Sequence, residues 1–76
     1  MKWKELSSKA RSIIKLSNKE DITLKLNKKF SISNKVKIKI TQELFDEILE
    51  FLNSSSENMY ILNEKMGYLK IISERK

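Results

Sequence analysis

The chain has 76 residues, with 16 Lys or Arg against 10 Asp or Glu, a formal net charge of +6, one glycine, and no cysteine, histidine or proline. That length makes one domain, residues 1–76, burying only about 60% of the surface its unfolded form exposes. The missing cysteines and histidines exclude disulfides, the commonest zinc ligands and the usual nucleophiles and general bases, which points to a non-catalytic binding module with no cofactor and no metal.

A core this small without a covalent or metal staple depends on tight packing, on a partner, or on a second copy, and a homodimer is the expectation. The longest apolar run is Met59-Tyr60-Ile61-Leu62, far short of the roughly 20 residues a spanning helix needs. The spaced apolar residues of the N-terminus do not read as a secretory signal, so the expected location is cytoplasmic. Charge is unevenly laid out. Residues 1–40 carry twelve cations against Glu5, Glu20 and Asp21, a net +9, whereas residues 41–76 carry a net −3.

In chain order, Trp3, Leu6, Ala10, Ile13 and Ile14 recur at helical offsets, with Lys2, Lys4, Lys9, Arg11 and Lys15 around the other sides. Trp3 reads as a core anchor; the same basic amphipathic pattern also suits an anionic membrane surface. Ser17-Asn18-Lys19-Glu20-Asp21 reads as a polar turn. From Ile22 to Ile40 the period changes to two. Ile22, Leu24, Leu26, Phe30, Ile32, Val36, Ile38 and Ile40 take even positions, and Thr23, Lys25, Lys29, Ser31, Ser33, Lys35, Lys37 and Lys39 take odd ones. This is a sheet with one buried and one wet face. A hairpin through Asn27-Lys28-Lys29 places Leu26 opposite Phe30 and Leu24 opposite Ile32, and Asn34 marks a bend or second turn.

Thr41 is positioned to cap the next helix, with Glu43 in its first turn and Ile40 and Phe45 at the two positions of a hydrophobic staple. Leu44, Phe45, Ile48, Leu49 and Leu52 form its apolar stripe, and Asn53-Ser54-Ser55-Ser56 ends it. Tyr60-Ile61-Leu62 and Tyr68-Leu69-Lys70-Ile71-Ile72 read as a hairpin around Glu64-Lys65-Met66-Gly67, although Met59, Leu62, Met66 and Leu69 also fit a helical stripe. The assembled expectation is α+β, two-layered. It has an antiparallel sheet of about four strands and two helices packed on one face, in the order α-β-β-α-β-β.

One stretch, Lys35-Val36-Lys37-Ile38-Lys39-Ile40-Thr41-Gln42-Glu43-Leu44-Phe45-Asp46-Glu47-Ile48-Leu49, resembles the strand and first helix of ribbon-helix-helix repressors. In that family alternate strand side chains enter the major groove of DNA from a dimer. The resemblance implies that Lys35, Lys37 and Lys39 are readers and that a second helix starts near Ser56.

Two candidate surfaces emerge. The alternation places Lys25, Lys35, Lys37 and Lys39 on one sheet face, with Arg11 in support, as a positive field for a DNA or RNA backbone. The plainer reading is a solvated face whose lysines keep strand edges unpaired. On the second helix, Glu43, Asp46, Glu47 and Glu50 form a like-charged cluster suited to a basic protein partner or, as pairs four apart, to a hard cation; the plainer reading is again a solvated helix face. Nucleic-acid binding leads because its site can be named, and a protein-interaction module, such as a small modulator or inhibitor of a larger protein, stands as the alternative.

Overall fold

A computed structural model of the chain describes residues 2–54 and 59–73. A 3₁₀ turn over Trp3–Glu5 precedes helix α1 (Ser8–Ser17), strands β1 (Ile22–Lys25), β2 (Lys29–Ser31) and β3 (Lys37–Lys39), helix α2 (Gln42–Ser54), and strands β4 (Met59–Asn63) and β5 (Tyr68–Ile72). The fold is α+β, but among the described residues there are five strands in two antiparallel sheets, β1-β5-β4 and β2-β3, in place of the single sheet of about four strands and the order α-β-β-α-β-β expected.

The N-terminal apolar stripe does not form one helix. Ser7 adopts an extended conformation and its hydroxyl accepts from the Ala10 amide at 3.2 Å, which caps α1 and breaks the stripe between Leu6 and Ala10. Serine competes with helical hydrogen bonds through its own side chain, which is why it starts helices better than it continues them. The break lets Trp3 meet Phe51 of α2 edge to face, with ring centroids 5.8 Å apart. Trp3 is thus a core anchor. The polar turn after α1 is also a tether: the Ser73 amide donates to Asp21 Oδ1 at 2.7 Å and the Ser73 hydroxyl to the Asn18 carbonyl at 3.2 Å.

The expected hairpin of Leu26 with Phe30 is absent. β1 pairs instead with β5, setting Ile22 against Ile71 and Leu24 against Leu69, while β2 pairs with β3. The turn at Asn27 does exist. Asn27 has a positive φ of 65° and the Lys28 amide bonds the Lys25 carbonyl. It steers the chain out of one sheet into another, because Asn27 and Ile40 are joined by a further backbone bond from the Asn27 amide to the Ile40 carbonyl at 2.7 Å. The bend foreseen at Asn34 is the tip of the β2–β3 hairpin, where the Val36 amide returns to the Ser33 carbonyl. The apolar even positions are buried or half-buried throughout, except Val36 at this tip, which is 48% exposed.

α2 starts as its capping chemistry requires. Thr41 Oγ1 accepts from the Leu44 amide at 3.2 Å, and both members of the staple, Ile40 and Phe45, are buried. Its end at Ser54 is described, while Ser55 and Ser56 lie outside the described residues. Beyond them the chain forms strands. β4 and β5 make the expected hairpin, so the second helix implied by the ribbon-helix-helix resemblance is replaced from Met59 onward, and β3 finds its pairing strand within the same chain. One cluster of buried residues closes the core: Ala10, Ile13 and Ile14 from α1, Leu44, Phe45, Ile48 and Leu52 from α2, and Ile22, Leu24, Ile38, Leu69 and Ile71 from the strands.

Gly67 closes the β4–β5 turn with a φ of +60°, and its carbonyl accepts from the Leu26 amide at 2.7 Å. A Cβ here would stand 2.8 Å from the Leu26 Cβ. Gly67→Ala is therefore expected to cost about 2 kcal/mol from the left-handed backbone and the clash together. Thermal unfolding should register this as a midpoint lowered by roughly 10 °C.

Candidate nucleic-acid interface

The β2–β3 hairpin is a two-stranded ribbon whose inner side carries Phe30, Ile32 and Ile38 to the core and whose outer side is polar. On that outer side Lys29 stands directly opposite Lys39, and Ser31 directly opposite Lys37, all of them exposed. Directly opposed residues have Cβ atoms about 5 Å apart, and diagonal neighbours lie somewhat further, still within reach of a lysine. Three ammonium groups thus share one small patch. Among the described residues no carboxylate forms an ion pair with them.

The structure redistributes the lysines named from the sequence. Lys37 and Lys39 sit on β3 as expected. Lys35 is exposed in the loop at the ribbon tip, whose turn is held by Ser33 Oγ accepting from the Val36 amide at 3.2 Å. Lys25 belongs to the other sheet, opposite Tyr68 of β5. Arg11 is half-buried on α1 and is not one of the strand-borne cations. Lys29 is the residue that sequence reasoning missed. Its odd position was visible, but placing it in the loop of a β1–β2 hairpin removed it from the sheet face.

The acidic residues of α2 border the ribbon. Glu43, Asp46, Glu47 and Glu50 line an open groove of about 630 Å³ together with Ser7, Lys9, Lys39, Thr41 and Leu44. They are not equivalent. Glu47 is half-buried and committed to the fold, because its two carboxylate oxygens accept from the Ser7 amide at 2.9 Å and the Ser7 hydroxyl at 2.8 Å. A carboxylate there also meets the positive end of α1. Asp46 accepts from Gln42 Nε2 one turn earlier at 2.8 Å. Glu43 and Glu50 remain exposed on the groove wall. Among the described residues no cluster of three or more acidic side chains is arranged to hold a metal ion. No helix among them is long and apolar enough to cross a membrane.

Comparison with protein-family models, with curated proteins and with solved structures found no match to this chain.

The geometry separates residues kept for stability from residues that oppose it. Glu47→Ala removes two charge-assisted hydrogen bonds from the start of α1 and should lower stability by about 1–2 kcal/mol. Lys29→Glu turns a directly opposed like-charged pair into an attractive one and should raise stability by about 0.5 kcal/mol. Urea denaturation of the two variants beside the parent chain reads both signs.

Proposed function

We propose that this chain is a non-catalytic module that binds the phosphate backbone of a nucleic acid through the outer side of the β2–β3 ribbon. The observation that carries the reading is the direct opposition of Lys29 and Lys39, with Lys37 alongside, on exposed strand positions. Like charges placed opposite one another destabilise a ribbon, and a row of phosphates offsets that repulsion.

The residue types narrow the ligand. Lysine is a compact point charge suited to phosphate, whereas base edges favour the planar fork of arginine, so the reading is backbone recognition with little sequence preference. No aromatic side chain stands on the outer side of the ribbon, which removes the stacking platform that single strands use and favours a duplex. A two-stranded ribbon is also narrow enough to enter the major groove.

The second reading is docking of a basic protein segment, favoured by the groove wall that Glu43 and Glu50 leave exposed beside Lys39. It differs in which reversal matters. The lysines are indispensable to the first reading and the acidic residues to the second.

Fluorescence anisotropy of a labelled DNA duplex across a salt series tests the proposal. With three or four phosphates engaged, the logarithm of affinity should fall against the logarithm of salt with a slope of about −3. Replacing Lys29, Lys37 and Lys39 together by Glu should abolish binding at low salt while the circular dichroism spectrum is retained. Equal affinity in the triple variant, or no affinity in the parent chain at low salt, would overturn the assignment.

A further inference from the structure

β4 sits at the edge of the three-stranded sheet and is bonded on one side to β5. Among the described residues, no backbone hydrogen bond to another segment occupies its other side. Exposed edges of this kind invite a further strand, and proteins ordinarily guard them with lysine, proline or a bulge. The other strands of this chain follow the rule: β1 carries Lys25, β2 Lys29, β3 Lys37 and Lys39, and even the central β5 carries Lys70. β4, Met59-Tyr60-Ile61-Leu62-Asn63, is the strand with no charged residue and no proline. It also presents apolar side chains to solvent, Met59 at 63% and Ile61 at 52% exposure, while Tyr60 and Leu62 are half-buried towards the core.

We propose that β4 is the surface through which two copies of this chain associate, edge to edge and antiparallel about a two-fold axis at Ile61, joining two three-stranded sheets into one of six strands. A strand that pairs with itself about one residue keeps odd positions with odd and even with even, so its inner and outer faces continue across the junction without a mismatch. Ile61 then meets its own mate, and Met59 meets Asn63 on the outer face. On the inner face Tyr60 meets Leu62, so each copy covers the half-open rim of the other's core. Charge argues for a second copy as the occupant. In a chain with a net charge of +6, β4 is a strand along which two copies can approach with no ammonium or carboxylate group on the paired segment to desolvate. The contact is independent of the lysine ribbon and does not rest on the nucleic-acid reading.

The test uses the full chain in sedimentation equilibrium over a concentration series, with two variants. The parent chain should approach twice the monomer mass as concentration rises, and should do so equally well in high salt, where binding through the ribbon is lost. Ile61→Glu places a carboxylate opposite Lys70 within the monomer, which the fold tolerates, but brings two carboxylates together at the axis; self-association should weaken at least tenfold with the circular dichroism spectrum of the folded chain retained. Ile61→Cys introduces the chain's single thiol, and mild oxidation should convert the protein to a covalent dimer, because directly opposed strand residues lie within disulfide reach. A parent chain that stays monomeric at every concentration would overturn the proposal. So would a dimer that survives Ile61→Glu unchanged and leaves the Ile61→Cys thiol uncross-linked, since the contact would then lie elsewhere. Reversal of Lys29, Lys37 and Lys39 should leave the dimer intact.

Discussion

The pairing of β1 with β5 is the constraint from which the rest of the architecture follows. It joins residues 22–25 to residues 68–71 across most of the chain, so the loop entropy of closing that distance has to be offset by what the pair buries. Ile22, Leu24, Leu69 and Ile71 are all at or near zero exposure, and each such aliphatic side chain contributes about 1.5–3 kcal/mol on burial. Hydrogen bonds finish the junction at both ends. Ser73 is tied to Asp21 and Asn18 at one, and Leu26 to Gly67 at the other. Once β1 is committed to β5, β2 cannot also serve as its hairpin partner, and the chain turns at Asn27 into a second sheet.

That division gives the lysines their arrangement. Had residues 22–40 formed one sheet with β1 against β2, Lys29 would have occupied a turn. In the β2–β3 ribbon it faces Lys39 instead. The ribbon needs its inner side, Phe30, Ile32 and Ile38, to hold on to the core, so its outer side is free to carry a charge density that the strands themselves do not favour. The polarity of the chain then reverses at the junction of Ile40 and Thr41, where the buried staple anchors the start of α2 and the acidic residues begin. The boundary between the two charge regions is a groove that Lys39 and Glu43 both line.

A small core that no disulfide can staple is secured here by carboxylates that cap distant backbone. Glu47 reaches the start of α1 from α2, and Asp21 reaches the end of β5 from the turn before β1. Both residues look like ordinary solvated acids in the sequence. Their role depends on which amide the fold brings within reach, so nothing in local pattern could have singled them out. The same holds for the unguarded edge of β4, which is recognisable only when the strand order shows that β5, and not β4, lies in the middle of the sheet.

What the sequence determined by itself was local: the change of hydrophobic period at Ile22, the inward face of most of the apolar even positions, and the Thr41 cap and its staple. Each of these depends on side chains within a few residues of one another, where period and capping chemistry act directly. Only the tertiary structure decided which strands pair, that Ser7 ends one segment and begins another, and that Lys29 belongs with Lys39. Strand pairing is a competition between distant segments of similar pattern. β1 alternates as well for β2 as for β5, and burial against the assembled core, which no short window of sequence contains, is what separates the two.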